Sequence, residues 1–238
     1  MQLIDLRTLL TRLLDEDGIF RTTDVLNMTL NASYQTTAIM SQGCELTSQF
    51  ILGANEMFKF MNQDFFVPVS IWMGTTRLYP IRSADLDFLT DDWMSADPGT
   101  PAYYFLHGSL TRNPTVWIYP RPTVSTTFRL TYAAVPAKMT QDTDIPRIPA
   151  EHHYTIVLLS YAWELLKERG QIYAGKALRT FQDFVRDLNM LQQTVYNRNP
   201  DRDWLMMPWD AEAMKRKLHS FENPVPPVQS LEGGQLAQ

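Results

Sequence analysis

The apolar positions of the chain change period twice, from helical to strand-like and back. From Gln2 to Glu16 leucines recur at helical spacing, with Leu6, Leu9, Leu10, Leu13 and Leu14 on one side. Asp17-Gly18 predicts the stop, the glycine supplying a left-handed cap. Thr23 is the predicted N-cap of a second helix reaching about Ser41. Its face is polar but almost uncharged: Asn27, Thr29, Asn31, Ser33, Gln35, Thr36 and Thr37. Such a face suits contact with other polar protein, the lining of a lumen, or plain solvent exposure.

From about Leu46 to Ala134 the period becomes two. Phe128, Leu130, Tyr132 and Ala134 alternate with Thr127, Arg129, Thr131 and Ala133, the mark of a strand with two unlike faces. Thr115 to Tyr119 is a second strand, closed by Pro120. Val67, Val69 and Ile71 define a third, which Pro68 predicts to lie at a sheet edge. Gly74 turns it into Arg77–Ile81, and a short helix or turn follows at Ser83–Leu89, with Ser83 as cap. Gln49–Leu52 and Met57–Phe60 are expected to pair as a hairpin around Gly53-Ala54-Asn55.

Helical period returns after Ile145-Pro146-Arg147-Ile148-Pro149, where Pro149 suits a first helical position. The helix from there to Arg169 is apolar over most of its circumference, through Ile156, Val157, Leu158, Leu159, Ala162, Trp163, Leu165 and Leu166. It should be the most buried helix. Gly170 ends it. Ala174, Ala177, Phe181, Phe184, Leu188, Leu191 and Val195 then follow 3-4 spacing, one stripe packing on a neighbour in an antiparallel hairpin of helices. After Asn199-Pro200 periodicity stops. Pro224 to Pro227 and Glu232 to Gln238 read as extended or disordered. The expected fold class is α+β: an antiparallel helical bundle with an inserted small antiparallel β-domain and an extended C-terminal tail. The expected division is 1–45 and 148–198 for the two halves of the bundle, 46–147 for the β-domain and 199–238 for the arm.

Composition narrows the chemistry. Hydrophobic residues make up 45% and charged residues 20% of the 238, enough apolar surface for a core. No apolar run approaches the ~18 residues of a membrane span, and the N-terminus reads as a helix, not a signal peptide. The tripeptides at Asn27 and Asn31 match the glycosylation pattern, but without a secretion signal both read as chance. One cysteine, Cys44, rules out a disulfide within the chain and argues against a cysteine zinc site. A net charge of −5 disfavours a static grip on nucleic acid, since the one dense basic run is Lys215-Arg216-Lys217.

The ordered motifs carry a resemblance. Asp64-Phe65-Phe66, Val69 and Trp72-Met73-Gly74 are followed by Leu78 and an acidic segment from Asp85 to Trp93. Next come Gly99-Thr100-Pro101-Ala102-Tyr103-Tyr104, Trp117-Ile118-Tyr119-Pro120-Arg121-Pro122, Leu130-Thr131-Tyr132 and Ala134-Val135-Pro136. Asp142 to Asp144, Ile145-Pro146, Ile148-Pro149 and the helix start Glu151-His152-His153 close the series. Over residues 20–197 this order resembles bacteriophage head-to-tail adaptor proteins. The resemblance implies a virion protein of the neck and tail, made in the host cytoplasm, with no catalysis and no cofactor. It implies a homo-oligomeric ring of about twelve copies, whose interface is heterologous and closes. The implied partners are the portal protein and a tail nozzle or tube protein, with tail fibres a further candidate. DNA would pass through the channel without specific binding, which an acidic or neutral wall favours.

The remaining candidates are weighed against plainer readings. His152 and His153 diverge by about 100° on a helix and do not readily share one ion, so a structural helix start is expected over a metal site. Asp85, Asp87, Asp91 and Asp92 lack the glycine and terminal glutamate of a calcium loop and read as a solvated acidic face. Cys44 reads as an inert thiol, and Tyr103, Tyr104, Trp117 and Tyr119 as core or interface, not a base-stacking platform. No nucleophile-elbow, phosphate-loop or zincin pattern occurs. The expected portal-binding residues are Trp204, Leu205, Met206, Met207, Pro208, Trp209, Met214, Leu218 and Phe221, in a tail with two tryptophans to bury. The alternatives are a neck or nozzle-proximal tail-completion protein, or a non-viral binding module or enzyme using the β-domain.

Overall fold

The first helix, α1 (Leu3–Leu14), buries Leu3, Leu6 and Leu10 and packs Leu9, Leu13 and Leu14 partly behind them. Asp5 caps it by accepting the Gln2 N–H at 2.8 Å, a carboxylate placed where the helix dipole favours it. It ends earlier than Gly18: the left-handed cap is Asp15, at φ 53° and ψ 48°. A short polar side chain tolerates that conformation better than most. The computed structural model describes residues 1–15, 21–89, 92–107, 114–168 and 171–198, without the side chains of 88–89 and 171–172. All of these lie in the first of two units, Met1–Leu205. The predicted stops at Gly18 and Gly170, the Trp204–Trp209 cluster and the Pro224–Pro227 run lie outside the described residues.

Helix α2 (Thr23–Ser41) starts at the residue predicted as its cap, and the cap falls one residue earlier on Thr22, whose Oγ1 accepts the Val25 N–H at 3.5 Å. Of the readings left open for its polar face, plain solvent exposure does not hold for most of it. Thr29, Asn31, Ser33 and Thr37 are buried within the chain. Asn31 is buried against the segment 135–149, which belongs to no ladder and whose backbone groups need partners elsewhere. Asn31 donates to the Met139 carbonyl at 2.9 Å and accepts from its N–H at 2.7 Å. Gln35 donates to the Pro136 carbonyl at 3.0 Å, and the Tyr34 hydroxyl accepts the Arg147 N–H at 2.7 Å. Burial pushes the Tyr34 phenol up to about 12, so it stays neutral in this role.

The strands are β1 (Glu45–Leu52), β2 (Phe58–Phe60), β3 (Phe65–Met73), β4 (Thr76–Pro80), β5 (Tyr103–His107), β6 (Thr115–Tyr119) and β7 (Thr126–Ala134). They form one sheet in the order β1-β7-β3-β4-β5-β6-β2. Helix α3 (Ser83–Leu89) lies between β4 and β5. The alternation along β7 holds, with Phe128, Leu130 and Tyr132 inward. In the β3–β4 turn Gly74 takes φ 59°, which a side chain would oppose.

Three expectations about the sheet change. The predicted hairpin partners β1 and β2 both form but do not pair; β1 lies on β7 and β2 on β6, at opposite ends of the strand order. The turn between them is held instead by Asn55 N–H on the Pro122 carbonyl at 2.9 Å. Pro68 is not on an edge strand, since β3 lies between β7 and β4. However, β4 reaches only Ile71 to Met73, and the register on β7 shifts on both sides of Pro68, so its missing N–H is accommodated. The sheet is also not wholly antiparallel. Tyr79 and Pro80 pair in parallel with Tyr103 and Tyr104, which the long connection through α3 permits.

After a 3₁₀ turn at Ala150–His152, α4 (His153–Lys167) buries eleven of its residues, as its nearly all-round apolar sequence requires. It packs against α1, α2 and α5 (Gln171–Arg198). In α5, Ala177, Phe184, Leu188, Leu191 and Val195 are buried, but Ala174 and Phe181 of the expected stripe are exposed. Ala174, Phe181, Leu188 and Val195 form one seven-residue series. On a straight helix such a series drifts by about 20° per heptad, and its first two members rotate off the contact. One continuous core joins the helices to the inward face of the sheet. On β5 and β6 the period of two sends Tyr104, Val116 and Ile118 into it. Phe105 and Trp117 point the other way, into a second cluster with Leu86 and Trp93.

A fully buried carboxylate ties α2 to α4. Glu164 accepts from Arg21 Nε at 2.9 Å, from Lys167 Nζ at 2.5 Å and from Thr29 Oγ1 at 2.5 Å. Burial alone would raise its carboxyl, but the hydrogen bonds from Lys167, Thr29 and Arg21 outweigh that and hold it below the ordinary 4.5. A depressed carboxyl contributes fully above its unfolded value, and the contribution is lost as pH falls through the folded value. Glu164→Gln should therefore lower neutral-pH stability by about 2–4 kcal/mol in urea melts and flatten the loss of stability on going from about pH 5 to about pH 3. The buried Ser33 and Thr37 hydroxyls have no partner among the described residues. Thr37→Val should leave stability unchanged or raise it by about 0.5–1 kcal/mol, whereas Thr29→Val should lower it by about 1–2 kcal/mol. The pair of melts checks the contrast.

Candidate interaction surface

The residues singled out for chemistry fall in separate structural roles. His153 is buried and its Nε2 donates to the Ile148 carbonyl at 3.1 Å. Its Nδ1 then accepts, 2.9 Å from the Met1 amine. His152 turns away to Thr194 Oγ1 at 3.1 Å. Burial lowers both imidazoles below the usual histidine range, so each is neutral at pH 7. The two rings serve different contacts, as their angular separation predicts. Asp87 accepts the Trp93 indole N–H at 2.8 Å, and Asp92 bonds the Ser95 hydroxyl. Among the described residues no group of His, Cys, Asp and Glu is placed to hold a metal ion. Burial raises the Cys44 thiol, which keeps it protonated.

The strand aromatics are structural too. Tyr104 is fully buried, and Trp117 stacks on Phe105 with centroids 5.6 Å apart. Trp117 also stacks on Phe58 at 4.8 Å, and Phe58 meets Phe60 edge-on at 5.6 Å. Here the aromatic series reaches the surface. All three residues of β2 are exposed, Phe60 by 63%, with Met94 at 56% and Ile51 at 56% nearby in the chain's exposed apolar set. Two open hollows flank this edge strand. One, of ≈ 510 Å³, lies between β1 and β2 over Phe65, Leu130 and Tyr132. The other, of ≈ 520 Å³, is formed by Phe58, Phe60, Met94 and Trp117 with Asn55 and Lys59 at hand.

The sequence reading took β2 for the second arm of a hairpin and missed this surface. The signal was present in Phe58-Lys59-Phe60, a short aromatic run with a cation between. It becomes a surface because β2 pairs with β6 on one side and ends the strand order on the other. The expected portal-binding residues Trp204, Leu205, Met206, Met207, Pro208, Trp209, Met214, Leu218 and Phe221 lie outside the described residues. No helix among the described residues is long and apolar enough to cross a membrane.

Fold and surface together define an α+β protein that presents an aromatic sheet edge to its surroundings. The chain belongs to the SU10 adaptor protein family, a family of phage head-to-tail adaptors, whose model matches residues 1–204. The match extends the resemblance seen over 20–197 to include α1. No curated protein matches the chain. Membership gives it a structural role at the junction of phage head and tail. Phe60→Ser should alter the unfolding free energy by less than about 0.5 kcal/mol, because the ring is mostly in solvent. It should also cut binding of an apolar fluorescent dye by about half, and paired melts and dye titrations check both.

Proposed function

We propose that the protein is the subunit of a closed ring of about twelve copies that joins the portal to the tail and forms part of the DNA channel. The observation that carries this reading is the adaptor-family match over residues 1–204. In this reading the helices form a bundle, residues 46–147 form a β-domain inserted in it, and residues 199–238 form an arm that engages the portal. The net charge of −5 supports a channel wall past which DNA slides without sticking. Nothing in the role requires a cofactor.

The arm's apolar cluster supports the portal contact. Trp204 and Trp209 bracket Leu205, Met206, Met207 and Pro208, a composition that places large apolar anchors within six residues. Buried tryptophans of this kind dominate many protein interfaces. The tail-side partner in this reading is a nozzle or tube protein, with fibres as a further candidate.

The test uses the full chain, purified portal and a pull-down with a titration. The double variant Trp204→Ala, Trp209→Ala should weaken portal binding by about tenfold or more. Removing residues 200–238 should abolish binding and leave the melting profile of the described fold in place. Normal portal binding by both variants would contradict the assigned role of the arm.

A further inference from the structure

The hollow beside β2 is not used by the portal contact just proposed, and its chemistry is specific. Phe58 lies flat on Trp117 and meets Phe60 edge-on, so adjoining aromatic faces form a rigid corner, with Met94 on its far side. The Trp117 indole N–H is spent on Thr115 Oγ1 at 3.2 Å, which fixes the ring. Lys59 stands beside the corner and makes no ion pair among the described residues, while Glu56 on the same rim has its carboxylate engaged by the Gly53 N–H at 2.7 Å. Aromatic grooves with a polar rim take proline-rich segments in the extended polyproline form, whose rings stack on aromatic faces at little ordering cost.

This chain carries such a segment. Glu222-Asn223-Pro224-Val225-Pro226-Pro227-Val228 holds a P-x-x-P pattern, and the described core does not account for it. After Lys217 the sequence contains Glu222 and Glu232 and neither lysine nor arginine, so the segment is complementary in charge to Lys59. With Trp204 and Trp209 on the portal, the 14 residues from 210 to 223 span at most about 46–50 Å when extended, enough to reach a neighbouring subunit. A heterologous ring contact needs one feature that gives and a different one that receives on every copy. We infer that the Phe58–Phe60–Met94–Trp117 hollow of one copy receives the Pro224–Pro227 segment of a second copy. The inference rests on the ring reading and adds a link between subunits to it.

The experiment places a photoreactive benzoylphenylalanine at Phe60 in the full-length protein and mixes equal amounts of ordinary and nitrogen-15-labelled copies. Trypsin releases residues 218–238 as one peptide, because no cleavage site follows Lys217. Irradiation should yield adducts between the Phe60 site and that peptide which pair an ordinary with a labelled chain. Pro224→Ala with Pro227→Ala should reduce them by about tenfold, and Lys59→Glu by a smaller factor. Native mass measurement on the same samples reports the ring. Rings that form while adducts map elsewhere, stay within one chain or ignore the proline variant overturn the inference and leave the ring reading standing. Absence of any assembly overturns both.

Discussion

The structure depends on enclosing α4. Its sequence is apolar on nearly every side, so no single neighbour can cover it, and α1, α2 and α5 each take part of its circumference. Glu164 is the one charge this helix carries fully inward. It is tolerated because three donors converge on it, and one of them, Thr29, comes from α2. The arrangement fixes α2 against α4 at a defined depth and register. The polar residues of α2 that follow are then positioned to hold the chain beyond β7.

That second task explains the composition of α2. A segment with Pro136, Pro146 and Pro149 makes few backbone bonds of its own, yet it has to cross from the sheet to α4 over buried surface. Asn31, Tyr34 and Gln35 provide its partners. Uncharged polar side chains suit this work, since an amide or hydroxyl is buried at far lower cost than an ion. Sheet and helices thereby share one core, and β2, paired only with β6, ends the strand order.

Much of this was legible in the sequence. Period two located β3, β6 and β7, and the all-round apolar run of α4 announced the central helix. What escaped was nonlocal. Nothing within β1 and β2 says that they pair with β7 and β6 instead of with each other, because pairing is decided by strands more than fifty residues away. Pro68 pointed to an edge, but the relevant edge was the end of β4, which pairs only with Ile71 to Met73 of β3. The polar face of α2 left its partner open because most of its partners are backbone groups, which carry no sequence signature. Phe181 was placed on the stripe by counting, and the helical drift that removes it appears only over several turns. Of the surface, Phe58 and Phe60 were visible as residues but not as exposed ones.

This fold serves, as its adaptor family implies, to join head and tail proteins of the phage. Cryo-electron microscopy of the assembled virion, at a resolution that shows helices and strands, tests this most directly. The expected result is a closed ring of copies, with the seven-stranded sheet and the α4-centred helices, between portal and tail. Density for the same fold in a different part of the particle, or a portal joined to the tail without it, would contradict the claim.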